Sequence, residues 1–364
     1  YFPYVFGQIP FGLVSDRYGV RYPLTFSVVA CAISVYAFSE VSTIHGAYFF
    51  RFFFGFFAAA GFISCLKLAN AWLPKAWLGV AVGLTQGMGM LGGLFGTRSM
   101  AVFSDDYGWR TTYSCITGAF LVVALLIFLF LKDKPAVSPA NTQQKTMPAV
   151  SIPEPRQHSL RQPKIWFAFM YCGLLFTAMQ VFGESWGANY LEFANHLSKT
   201  EASSAISMVF MGWFFGGPTL GGLSGYIGRR PIMQLSAGVS TVLMTILLYV
   251  PMSSVLTHMT IFIFGFFSTG LVAAYATVTE LSHPRHNGLC LAISNMFTIG
   301  LGAALSPLMG TLLDYFWHKH PVWLDNIPLY AAEDYRITFS AVPICLALAF
   351  ICSLLTPETL KKGK

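Results

Sequence analysis

The chain is 364 residues long, 55% hydrophobic and only 10% charged, against roughly 25% charged in an ordinary soluble domain. That composition excludes a water-soluble globule, and the net charge of +7 sorts by topology rather than marking a nucleic-acid surface. The seven cysteines all fall in apolar runs without metal-ligand spacing, so they read as small core residues, and no disulfide, metal site or cofactor is expected.

Apolar runs bounded by charge, Gly or Pro predict helices near 1–14, 22–42, 46–73, 77–103 and 109–131. Residues 132–164 follow, rich in proline and carrying Lys132, Lys134, Lys145, Arg156, Arg161 and Lys164, the composition of a solvated linker. Beyond it, helices are expected near 165–191, 201–224, 231–251, 258–282, 287–313 and 335–356. The domains are therefore 1–131, an N-terminal bundle; 132–164, the linker; and 165–364, a C-terminal bundle.

One half of the chain repeats the other. At an offset of 209, Phe6 matches Phe215, Gly12 matches Gly221, Ser15 matches Ser224, Gly19 matches Gly228 and Arg21 matches Arg230. Gly79 matches Gly288, and after Asp314 the offset rises to 226, which places a 17-residue insertion before Tyr335. The helix at 165–191 has no partner in the first half, so repeat arithmetic predicts a preceding segment of roughly 45 residues. Two six-helix bundles with eleven helices in this chain, all-α and membrane-spanning, imply a solute path between them.

Fifteen of the 22 Lys and Arg residues lie on one side of these helices: Arg17, Arg21, Lys75, the six of the linker, Arg229, Arg230, Arg285, Lys361, Lys362 and Lys364. The positive-inside rule makes that side cytoplasmic, with the linker and C-terminus. The insertion, with Trp317, His318, His320 and Trp323, falls outside.

Charges within membrane helices cost about 2.5–3.5 kcal/mol on insertion scales, so each needs a partner or a wet cavity. Five qualify: Arg51, Lys67, Arg98, Glu184 and Glu280. Lys67 and Glu280 lie near the cytoplasmic ends of repeat-related helices, where they are expected to pair across an inner gate; the alternative is that Lys67 snorkels to the interface. Glu184, flanked by Gly183 and Trp186, suits proton coupling if its surroundings change between states, or is a wetted helix-end residue. Arg51 divides between a cavity charge acting in that coupling and a structural partner. Gln86 and Asn295 occupy equivalent places in the repeats, and with Gln180, Asn189 and Tyr275 they are candidate cavity residues for a polar solute or glue between helices. No phosphate loop or nucleophile elbow is present, and His318-x-His320 lacks further ligands, so no enzyme is expected.

Gly12, Asp16, Arg17, Gly19 and Arg21 resemble the signature between the second and third helices of the major facilitator superfamily, Gly-x-x-x-Asp-Arg-x-Gly-Arg-Arg/Lys, with Val20 replacing a basic residue. Gly221, Gly228, Arg229 and Arg230 form the second copy, where Gly225 and Tyr226 stand in place of the acid and base. Arg51 followed by Gly55 is similar to the family's fourth-helix motif. Lys67-Leu68-Ala69, Trp72-Leu73-Pro74 and Gly83-Leu84-Thr85-Gln86-Gly87 resemble bacterial permeases of the sugar-phosphate-permease-like group. The resemblance covers the chain apart from a missing first helix and implies a motif latch favouring the outward-facing state, weaker in the second copy. The glycines at 83, 87, 89, 92, 93 and 96 resemble an antiporter motif but carry Met88 where its proline belongs, and small-residue packing explains them as well.

Residues and resemblance together imply a monomeric secondary active transporter of the bacterial cytoplasmic membrane. Its partners are a small polar organic solute, protons and the lipid bilayer, with proton-coupled uptake by alternating access. The alternatives are proton-coupled efflux of a siderophore or drug, and a membrane sensor that binds without moving solute.

Overall fold

A computed structural model describes residues 1–74, 77–133, 159–195, 197–283, 286–319, 322–324 and 327–360, with backbone alone at 93–95, 97–99, 101, 159, 322–324 and 327–329. Most of the 132–164 linker, Lys75, Arg285, His320, the C-terminal lysines and the side chains of Arg98 and Trp323 lie outside what is described.

Eleven helical rods occur among the described residues. In chain order they are α1 (Phe2–Tyr18), α2 (Arg21–Glu40), α3 (Ile44–Trp72), α4 (Leu78–Tyr107), α5 (Trp109–Phe130), α6 (Pro163–Phe193), α7 (Lys199–Ser224), α8 (Arg229–Tyr249), α9 (Ser254–Leu281), α10 (Asn287–Lys319) and α11 (Ala332–Leu355). Nine of them are long and apolar enough to cross a membrane. The insertion adds a two-stranded antiparallel hairpin, β1 (Val322–Leu324) and β2 (Ile327–Leu329).

The repeat is visible in how the helices begin and break. Thr43 caps α3 through the Gly46 amide and Ser253 caps α9 through the Leu256 amide, the side-chain oxygens satisfying amides that the first turn leaves unpaired. Both rods then break at equivalent points, α3 at Ala59 and α9 in a 3₁₀ turn at Ser268–Gly270, where sequence periodicity predicts continuous helices. A capping box between Ser198 and Glu201 starts α7. α6 widens into a π-helical stretch over Met179–Trp186, which the apolar pattern did not reveal because periodicity cannot resolve one extra residue in a turn.

In the second bundle α6 packs against α9, α10 and α11. On the equivalent face of the first bundle lies a cavity of about 300 Å³ lined by residues of α2, α3, α4 and α5, among them Phe38, Arg51, Phe54, Met100, Tyr113 and Phe120. The bundles meet along two seams, α1 against α10 and α4 against α7, and the repeat operation exchanges one seam for the other.

Candidate functional site: the seams between the bundles

The α4–α7 seam is built from glycine. A Cβ added at Gly79 would lie 2.4 Å from the Gly221 carbonyl oxygen, and one at Gly83 would lie 2.2 Å from the Gly217 carbonyl carbon. Backbone touches backbone here, the arrangement by which small residues hold membrane helices together without a hydrophobic driving force between them. Farther along α4 the contact ends, since nothing lies within 4 Å of a Cβ at Gly89, Gly92 or Gly96.

The α1–α10 seam crosses at the equivalent residues, Gly12 against Gly288 and Ala292, but polar chemistry is added. One Asp16 carboxylate oxygen accepts the Gly288 amide at 2.9 Å and the other the Leu289 amide at 2.9 Å. An acid of the first bundle thus caps the N-terminal turn of a helix in the second, where orphan amides and the helix dipole favour negative charge. Gly225 occupies the matching place in the other seam, and among the described residues no carboxylate caps α4.

The Lys67–Glu280 ion pair expected from sequence does not form. Lys67 Nζ lies 2.7 Å from Asp16 Oδ1, within the first bundle, while Glu280 lies 3.1 Å from the fully buried Arg229 guanidinium, within the second. Each charge finds a nearer partner in its own bundle, and this satisfies it without tying the bundles together. Arg229 also donates to Ser224 Oγ at 2.7 Å, and Glu280 accepts from Thr359.

The motif glycines Gly19 and Gly228 have φ of +80° and +131°, the left-handed region that other residues avoid. Each turn abuts a carboxylate that the sequence reading missed. Asp133 accepts the Val20 and Arg21 amides, and Glu358 accepts the Arg229 and Arg230 amides at 3.0 Å. Arg21 donates to the Phe128 carbonyl at 2.5 Å and Arg230 to the Leu354 carbonyl at 2.7 Å. Arg17 is exposed beside the Tyr18 ring.

Of the cavity candidates, Tyr275 and Asn295 come together: the Tyr275 hydroxyl donates to Asn295 Oδ1 at 2.9 Å and lies 3.0 Å from Thr298 Oγ1. Asn295 Nδ2 in turn donates across the seam to the Tyr4 hydroxyl at 3.3 Å, and the Phe62 ring meets Tyr275 edge-on. Gln180 is buried against Gly302. No hydrogen bond among the described residues joins the half-buried Gln86 or the exposed Asn189 to this group. Glu184, exposed in the π stretch, accepts from the Tyr1 hydroxyl at 3.2 Å across the bundles. Arg51 sits away from it, at the rim of the first-bundle cavity with its guanidinium 5.6 Å from the Phe38 ring centre. Among the described residues no group of three or more His, Cys, Asp or Glu is placed to hold a metal.

The Major Facilitator Superfamily model matches residues 1–307 and again 174–364. The chain belongs to the major facilitator superfamily. It is a multi-pass membrane protein of a family of transporters, which bind small molecules within the membrane and are not enzymes. Membrane sensor protein UhpC of Escherichia coli (strain K12) is 24% identical over 339 residues, 87% of this chain and 76% of that protein. Hexuronate transporter of Bacillus subtilis (strain 168) is 26% identical over 229 residues, 60% of this chain and 52% of that one. In fold, the major facilitator transporter FucP in the outward conformation superposes with a TM-score of 0.69 at 14% identity, covering 97% of this chain and 87% of that one.

Proposed function

We propose that this member of the superfamily is a secondary active transporter taking up a small polar organic solute, coupled to protons, by alternating access between its two bundles. The observation that carries the reading is the Asp16 cap on Gly288 and Leu289, a contact between bundles made of hydrogen bonds that water can replace when the bundles separate. The motif face is the cytoplasmic one by charge. Glu184 is the proton carrier of this reading, placed where Tyr1 and the second bundle meet, with Arg51 as a secondary charge. Tyr275, Asn295 and Gln180 offer the solute donors and acceptors, with Gln86 and Asn189 as further polar candidates apart from that group. A hexuronate is the first solute to try, because a relative bears that name.

The test is flux into proteoliposomes of the protein with radiolabelled glucuronate and a panel of sugars, organic acids and amino acids. An inward proton gradient accelerates uptake of at least one solute, and Glu184→Gln abolishes that acceleration while leaving downhill exchange. Gradient-driven export of a siderophore or drug instead reverses the direction proposed. A second reading, binding without flux, is favoured by the relatives named as membrane sensor proteins; solute-induced thermal stabilisation without transport of any panel member selects it.

A further inference from the structure

The two seams are images of each other under the repeat, yet on either side of the shared glycine crossing their side chains differ. On α1 the stripe facing α10 runs Tyr4, Gln8, Gly12, Asp16; the equivalent stripe on α7 runs Trp213, Gly217, Gly221, Gly225. Trp213 turns into its own bundle, donating to Ser268 Oγ at 2.7 Å, whereas Tyr4 engages Asn295 across the seam. Between Tyr4 and Gly12, one turn from each, Gln8 is completely buried; its amide lies near the Tyr4 hydroxyl but makes no hydrogen bond of normal length at either end among the described residues. Gly217, its counterpart, presses backbone to backbone on Gly83.

We propose that Gln8 is a positioning residue of the transport cycle: its unpaired amide makes α1–α10 the seam that parts on the motif side, while α4–α7 stays closed as the pivot. The inference rests on the alternating-access reading. A buried amide without partners destabilises the closed seam and is relieved when water reaches it. The other groups along this seam, Asp16, Asn295 and Tyr4, gain water in place of the bonds they lose. Parting the glycine seam loses the close backbone packing of Gly79 on Gly221 and of Gly83 on Gly217, with no buried carboxylate or amide of this kind at the matching positions Gly217 and Gly225 to gain from water. The path on the motif side is therefore one-sided, a wedge rather than a symmetric mouth.

Hydrogen–deuterium exchange of the full chain in nanodiscs tests this without a known solute. Peptides spanning 4–12 and 288–295 are expected to exchange at least about tenfold faster than those spanning 79–87 and 213–221. Gln8→Leu, which removes the unpaired amide, slows exchange at the first pair about tenfold, while Gln8→Asn stays within about threefold of the parent. Equal exchange at the two seams in the parent protein overturns the proposal, as does unchanged exchange in a folded Gln8→Leu. If Gln8→Leu fails to fold, the comparison of seams in the parent still decides. A fast α1–α10 seam in a chain that carries no solute removes the transporter reading and leaves only the asymmetry of the seams; flux with a static α1–α10 seam keeps the transporter and overturns this inference.

Discussion

Asp133 and Glu358 do the same work at opposite ends of the chain: each follows the last helix of its bundle and caps the helix that begins after the motif turn, α2 for Asp133 and α8 for Glu358. The motif arginines close the same clasp from the other side, Arg21 on Phe128 and Arg230 on Leu354. Replacing either acid by alanine removes a cap worth about 1 kcal/mol, and two amides share it in each case. Thermal unfolding in nanodiscs is expected to fall by about 2–4 °C for each single variant and by close to the sum for the double, because the two clasps are in separate bundles.

Asp16 stabilises the closed seam through its cap on α10, with Lys67 of its own bundle as its ion-pair partner. Asp16→Ala is expected to weaken that state by about 2 kcal/mol, roughly a 30-fold shift in population. Cys290, buried beside the capped amides, is a native reporter. Its labelling by a small maleimide, read by peptide mass spectrometry, rises in Asp16→Ala. Labelling equal to that of the parent would sink the latch role.

Arg229 is fully buried with Glu280 as its carboxylate partner. Arg229→Met leaves that acid without its cation and is expected to cost about 3–5 kcal/mol, while Arg229→Met with Glu280→Gln recovers much of it. Denaturant unfolding of the double-mutant cycle measures the coupling; additive effects contradict the pairing.

Much of the architecture could be read from the chain because membrane helices announce themselves by length and polarity, and because the repeat supplied register. The motif turns follow from that register, which also makes Gly12 equivalent to Gly221 and Gly288 to Gly79 but does not say that Gly12 and Gly288 meet. The partner of Lys67 did not follow from it either, since two charges at the right depth say nothing about which nearer charge lies sideways on a neighbouring helix. Asp133 and Glu358 carried a signal that went unread: each stands three residues past the end of its bundle's last helix. Gln8 and the π stretch around Glu184 had none, because a lone amide in an apolar run and a one-residue widening leave the hydrophobic pattern intact.

Glycine substitutions separate the tight part of the α4–α7 seam from the loose part. Gly221→Ala places a methyl 2.2 Å from the Gly79 carbonyl oxygen, expected to cost about 1–3 kcal/mol. Gly89→Ala meets nothing within 4 Å and is expected to lie within about 0.5 kcal/mol of the parent, or to gain slightly from helix propensity. Paired thermal unfolding of the two variants checks both.

The backbone contact between Gly79 and Gly221 also limits how the protein can change over generations. A clash between side chains can be repaired by trimming the partner, but here the partner is a carbonyl with nothing to trim. A new side chain on either helix can be accommodated only by moving a whole helix, and with it the angle at which the two bundles meet.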